Sequence, residues 1–192
     1  MTLQEHIHSR YLASIEAQRD AIEQLAEPIA RAVEIMVDSL MREGKLFACA
    51  QAGGVDAARL FASLLNHQHQ QARPGLAAIA LDAGAQALAD DADFTLLHAR
   101  QIESLGNAGD VLLAISGTGN APAVLAALRG AHAKDMRVVV LAGGDGGQLA
   151  EALSEEDVVI CTYAESAAFT RELHLRAIHS LCDGIDYLLL GA

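Results

Sequence analysis

Five short apolar runs punctuate the chain after Lys45: Leu46–Ala50, Ala77–Leu81, Val111–Ile115, Val138–Leu141 and Val158–Cys161. Each is continuous rather than alternating, the pattern of a strand buried on both faces in a parallel sheet covered by helices. The stretches between them, at about 53–68, 95–106, 120–134 and 145–153, are long enough for crossover helices. One of them holds the Ala-rich tract Ala121–Ala133, which favours helix by propensity. A last segment, Ser166 to about Leu190, keeps Leu173, Ile178, Leu181, Ile185 and Leu188 in helical register. Ahead of the strands, Leu3, Ile7, Tyr11, Leu12, Ile15, Ile22 and Leu25 recur at roughly helical spacing. Pro28 interrupts that pattern and predicts the start of a second helix, carrying Ile29, Ala32, Val33, Ile35, Met36 and Leu40 and ended by Gly44. No repeat, low-complexity tract or linker divides the chain. The pattern predicts one doubly wound domain over 1–192, with helices at 1–44 and an α/β core at 45–192. Helices this apolar, set ahead of the sheet, suit packing against another subunit; the alternative is that they cover their own domain.

Composition narrows the setting. No apolar run reaches the eighteen or so residues that a membrane span needs, although 52% of the 192 residues are hydrophobic. The first residues lack a basic segment followed by an apolar one, so no secretory signal is expected and the expected location is cytoplasmic. Cys49, Cys161 and Cys182 are odd in number and far apart, which fits reduced thiols better than a disulfide framework or a zinc knuckle. A formal net charge of −12 argues against direct nucleic-acid binding, because such proteins displace counterions with Lys and Arg. The same surface could dock a basic protein. The absence of Trp also argues against a base-stacking platform.

Candidate chemistry concentrates in two loops at the carboxyl ends of expected strands, where open parallel sheets bind ligands. They are Cys49-Ala-Gln-Ala-Gly-Gly-Val-Asp56 and Ile115-Ser-Gly-Thr-Gly-Asn-Ala-Pro122. In the second, Ser116 and Thr118 offer hydroxyls, and Gly117 and Gly119 let backbone approach an anion. The helix expected from about Asn120 aims free N–H groups and its positive dipole end at the same place, so phosphate is the natural guest. A Ser/Thr/Gly turn that only caps a helix is the competing reading. Neither loop carries a Walker pattern or a complete dinucleotide fingerprint.

The run Gly109-Asp-Val-Leu-Leu-Ala-Ile-Ser-Gly-Thr-Gly-Asn120 resembles the signature of sugar-isomerase (SIS) domains, in particular phosphoheptose isomerases and their relatives, the DnaA initiator-associating proteins. Arg73–Leu81, Ala142–Gly147 and Leu173–His179 support it, and Leu181-Cys-Asp-Gly-Ile-Asp186 resembles the initiator-associating branch. The resemblance implies a three-layer αβα sandwich with a five-stranded parallel sheet, Rossmann-like, with an N-terminal helical arm. It also implies a homo-oligomer, commonly a tetramer, with ligand sites near subunit interfaces. In phosphoheptose isomerases a zinc-associated site uses a His and a Glu four residues apart on the helix after the first loop, and a Gln and a His eight apart on the last helix. Spacing of four places both side chains on one helix face. Carried onto this chain, the first pair falls on Leu60 and Leu64, or on Arg59 and Ser63 if the register slips by one; the Gln falls on Arg171, and only His179 persists. The usual first-loop "CGNGGS" reads Cys49-Ala-Gln-Ala-Gly-Gly54 here.

The expectations that follow are no catalytic residue, no metal and no cofactor, zinc belonging to the family at positions mostly lost here. The expected phosphosugar-binding residues are Gln51, Gly53, Gly54, Ser116, Gly117, Thr118, Gly119, Asn120, Arg171 and His179, with Arg171 offering a charged fork to phosphate. The expected function is a non-catalytic phosphosugar-binding protein that resembles the initiator-associating group and acts on a protein partner such as the replication initiator DnaA. Phosphoheptose isomerisation of sedoheptulose 7-phosphate and a phosphosugar-responsive regulatory module are the alternatives. His67 and His69 read as a solvated helix end rather than a metal pair, His174 as packed, and Cys49 as a buried thiol. Asp82, Asp90, Asp91 and Asp93 read as a solvated loop.

Overall fold

The continuous apolar runs become the strands of one parallel sheet in the computed structural model, which describes residues 1–81 and 94–191. In chain order the elements are α1 (Leu3–Met41), β1 (Leu46–Ala50), α2 (Val55–Asn66), β2 (Ala78–Ala80), α3 (Leu97–Leu105), β3 (Val111–Ser116), α4 (Pro122–His132), β4 (Arg137–Gly143), α5 (Gly147–Glu151), β5 (Val158–Thr162) and α6 (Ala167–Leu190). The strand order is β2-β1-β3-β4-β5, every pairing is parallel, and Leu46 of β1 stands level with Ala78 of β2 and Val111 of β3. The acidic cluster Asp82, Asp90, Asp91 and Asp93 lies outside the described residues.

Continuous burial has a simple cause: each strand feeds two cores. Leu46, Ala48, Ala50, Leu113, Ile115, Val139 and Leu141 join residues of α1, α2 and α6 on one face. Phe47, Cys49, Leu112, Ala114, Val138, Val140 and Ala142 join α3, α4 and α5 on the other. Successive side chains of a strand point to opposite faces, so both sets must be apolar. This is the expected three-layer sandwich.

The N-terminal region departs from expectation. It is one helix of 39 residues with Pro28 inside it, not two helices meeting there. Its start is secured by a capping box between Thr2 and Glu5. Proline removes one helical N–H and crowds the preceding turn. Leu25, Ala32, Val33 and Met36 are buried on either side, and that packing carries the helix through. At about 1.5 Å per residue the helix spans roughly 58 Å, and its first half leaves Leu3, Ile7, Tyr11, Leu12 and Ile15 exposed. No helix among the described residues is long and apolar enough to cross a membrane.

Two buried aspartates tie the amino ends of the strands together. Asp110 accepts hydrogen bonds from the Lys45 and Asn107 backbone N–H groups at 2.7 and 2.9 Å and pairs with Lys45 Nζ at 2.9 Å. Asp157 accepts from the backbone of Val138 and Ser154, both at 2.7 Å. Among the described residues no aspartate clamps the carboxyl ends, which are where the candidate chemistry gathers.

Candidate functional site

From β1 the chain crosses to β2 on one side, while β3 lies on the other, so the loops after β1 and β3 part at the point where the winding reverses. A crevice at that point is where doubly wound sheets hold ligands. The loop after β1 turns tightly over Ala52–Gly54, with Ala52 in a left-handed conformation at φ +53°. The loop after β3 folds on its own side chains. The Gly119 N–H donates to Ser116 Oγ at 3.0 Å, and Asn120 Nδ2 donates to the Thr118 carbonyl at 2.9 Å. Ser116 therefore spends its acceptor on the loop and keeps its O–H for a guest. Gly143, at the end of β4, permits this arrangement, since a Cβ there would stand 2.2 Å from the Gly117 carbonyl oxygen.

Two helix starts complete the crevice. α4 begins with Pro122 and has no side-chain cap, so the N–H groups of its first turn and its positive end remain for a ligand. α6 is capped by Ser166, whose side chain accepts from the Phe169 N–H at 3.3 Å. Its first two turns bring Ala167, Thr170, Arg171 and His174 onto one face. The result is a cleft of about 260 Å³ lined by Gln51, Ala52, Gly53, Gly54, Ser116, Gly117, Thr118, Ala121, Pro122, Ala167, Thr170, Arg171 and His174. A second hollow of about 360 Å³ adjoins it, shares Gly53, Gly54, Arg171 and His174, and adds Asp56, Ala57, Ala168, Glu172 and Leu175.

The electrostatics are one-sided. Among the described residues Arg171 is the one permanently charged side chain on the 260 Å³ cleft, and none of them brings a carboxylate to its wall. His174 is 3% exposed, its Nε2 has no hydrogen-bond partner, and burial lowers its pKa to about 4 against the opposing pull of the Ala142 backbone. It is therefore a neutral imidazole at ordinary pH. A larger groove of about 610 Å³ lies at the amino ends of the strands. There Arg137 Nη2 is already paired with Asp38 at 2.7 Å, and charges of both signs line the walls.

Of the residues expected to bind, the cleft brings together Gln51, Gly53, Gly54, Ser116, Gly117, Thr118 and Arg171. Gly119 packs instead on Gly146, and Asn120 Oδ1 accepts from the Gln148 N–H at 3.1 Å, facing α5. His179 stands beside His69, ring centroids 5.3 Å apart, and does not line the cleft. His69 is not solvated: its side chain is 7% exposed and Nε2 lies 3.1 Å from Asp183 Oδ1. Cys49 is buried, and desolvation pushes its thiol up to about 12. Ala52, Ala121, Pro122 and Ala167 carry no chemistry that a sequence could flag. Thr170 and His174 could have been found from their helical spacing around Arg171.

The zinc site that the resemblance describes does not fit these residues. Leu60 and Leu64 have no donor atom, Arg171 is a cation, and His179 has His69 as its neighbour. Among the described residues no group of three or more His, Cys, Asp or Glu side chains could hold an ion.

Comparison with known proteins adds what geometry alone does not. The SIS-domain pattern matches residues 10–143. The chain is 45% identical to a phosphoheptose isomerase of Aromatoleum aromaticum, over all of this chain and 98% of that one. It is 44% identical to the phosphoheptose isomerase of an Azoarcus species, again over all of this chain and 98% of that one. A solved phosphoheptose isomerase from Neisseria gonorrhoeae superposes with a TM-score of 0.88 at 38% identity, covering 96% of this chain and 99% of that one. One from Francisella tularensis gives 0.90 at 33% identity, covering 97% and 99%. These likenesses overturn the expectation of a non-catalytic protein of the initiator-associating kind. That expectation weighed a few substituted positions, whereas the agreement with isomerases extends over loops, strand order and length alike. The substitutions change which groups line the cleft, where an imidazole and a guanidinium stand in His174 and Arg171.

Proposed function

The chain belongs to the SIS-domain family, and from that premise we propose that it is a phosphoheptose isomerase, interconverting the ketose and aldose forms of a heptose phosphate such as sedoheptulose 7-phosphate. The observation that carries the reading is the full-length likeness to proteins of that name. The cleft supports it chemically. Ser116, Thr118 and the uncapped start of α4 suit a phosphate, and the hollow beside Arg171 has room for the sugar. The reaction moves a proton from one carbon to its neighbour, which needs a group that accepts and returns it. On this cleft that group is His174 of α6; His179, which the family pattern retains, stands outside it beside His69.

The chain acts as a homo-oligomer in this reading. The exposed apolar residues of the first half of α1 are what a second copy would cover. Three free cysteines suit a reducing, cytoplasmic setting.

A coupled assay tests the reading. Purified protein is expected to turn over sedoheptulose 7-phosphate, and His174→Gln to lower kcat at least a hundredfold while the variant stays folded by circular dichroism. No turnover by the wild type between pH 6 and 9, with or without added divalent metal, would sink it.

A further inference from the structure

We propose that Arg171 is a catalytic residue of this cleft, its guanidinium holding the two oxygens of the enediolate through which the sugar isomerises; this rests on the isomerase reading above. Four features of the structure converge on it. Among the described residues Arg171 is the one permanent charge on the cleft wall. The two described carboxylates of the adjoining hollow have other partners: Glu172 is bonded by Ser14, and Asp56 is exposed and 3.9 Å from Arg59. No hydrogen bond or ion pair ties Arg171 to any described residue, so a chain of net charge −12 leaves one cation unneutralised at its cleft. Third, the arm is seated against the loop after β1: a Cβ on Gly53 would stand 3.3 Å from Nη1 and 3.5 Å from Cδ, so glycine leaves room for it. Finally, Arg171 stands where the two hollows join, on the β1 side, whereas Ser116, Thr118 and the α4 start come from the β3 side. A phosphate seated on the β3 side puts the far, reacting end of the sugar beside the guanidinium.

The charge balance shows what that position does. A proton leaves the carbon next to the carbonyl for an α6 imidazole. The C–H pair becomes the carbon–carbon double bond, and the carbonyl pair moves onto oxygen, giving an enediolate. The hydroxyl proton of the enediolate passes from its own oxygen to the adjacent one, the imidazolium returns the first proton to the neighbouring carbon, and the pair left on the deprotonated oxygen forms the carbonyl one position along. One full negative charge develops on adjacent oxygens, in a cleft where no described residue offers a carboxylate and no described group is fit to hold a metal. A guanidinium presents two parallel N–H donors to two such oxygens, a match that a lysine ammonium lacks. Preorganised positive charge at the point where negative charge develops is a large source of rate enhancement.

Calorimetry with two probes, inorganic phosphate and the hydroxamate of a phosphorylated sugar acid (a stable enediolate mimic), tests the assignment. The wild type is expected to bind the hydroxamate at least tenfold tighter than phosphate. Arg171→Gln should erase that preference while phosphate affinity holds within about twofold, and Arg171→Lys should restore only part of it. In turnover, Arg171→Gln should lower kcat with little change in KM. The assignment fails if Arg171→Gln weakens phosphate and hydroxamate equally, which makes Arg171 a phosphate anchor. It fails as well if neither affinity moves, or if EDTA abolishes turnover and zinc restores it. Binding and turnover separate the two readings. A wild type that turns over while Arg171→Gln keeps the hydroxamate preference retains the isomerase and loses Arg171. An Arg171-dependent preference without any turnover retains the oxyanion holder and loses the isomerase.

Discussion

His174 shows how one buried side chain carries both stability and chemistry. Unfolded, its imidazole titrates near 6.5, and burial lowers it to about 4 in the fold. As pH falls the unfolded chain takes up the proton first, so the contribution is complete above about 6.5 and is lost progressively toward about 4. Between pH 7 and pH 5 this term should cost the wild type about 2 kcal/mol. Urea unfolding at the two pH values checks it: the wild type should lose about 2 kcal/mol more than His174→Phe. An equal loss in both would mean that the ring is not shielded. The neutral state matters for function too, since an uncharged imidazole keeps one ring nitrogen open to a proton, and its low pKa makes the imidazolium a strong acid that gives the proton back. Cys49 is the contrasting case. Burial on the opposite core raises its thiol to about 12, so it stays protonated and serves packing.

At the scale of elements, the sheet is stitched at one end and open at the other. Asp110 and Asp157 each accept backbone N–H groups at the amino ends of neighbouring strands. Asp110→Ala should cost about 3–5 kcal/mol, because it orphans two N–H groups and the Lys45 ammonium together. Thermal unfolding should fall by roughly 10 °C, and Asp110→Asn by less. A shift under about 2 °C would show that water replaces the carboxylate at no cost. Among the described residues the carboxyl ends have no aspartate clamp, and their loops are shaped by close backbone approaches, such as Gly143 under Gly117. α6 links the two properties. Its first turns line the cleft with Arg171 and His174, and its later turns pack on α1, where Gly184 lets Val33 approach closely. Farther along α6, Asp186 pairs with the buried guanidinium of Arg73, which also donates to the Leu64 and Leu65 carbonyls at the end of α2. A change in the packing of α6 is therefore transmitted to the cleft.

For the whole molecule, the first half of α1 leaves an apolar row without a cover: Leu3, Ile7, Tyr11 and Ile15 recur every four residues and are 48–75% exposed. On the proposed homo-oligomer, light scattering should give a multiple of 20.2 kDa, four copies being expected, and Ile7→Glu with Ile15→Glu should reduce it. A monomeric wild type at micromolar concentration would remove that expectation. The strands were legible in the chain because burial on both faces writes itself as an unbroken apolar run, a local property that needs no partner. The glycine- and hydroxyl-rich loops were legible for the same reason. Three features were not. The passage of α1 through Pro28 depends on Leu25, Ala32 and Val33 finding the body of the domain, and the local rule for proline knows nothing of that. The meeting of His69 with His179 joins residues more than a hundred positions apart, brought together by the return of the chain over the sheet. Arg171 and His174 share one helix face in any reading, but only the strand order β2-β1-β3-β4-β5 sets that face against the loops of Gly53 and Ser116. The sequence by itself determined the elements, since periodicity and turn chemistry act over a few residues. Which side chains share a cleft was decided by tertiary structure, because that depends on how crossovers order the strands and on which helix ends that order brings together.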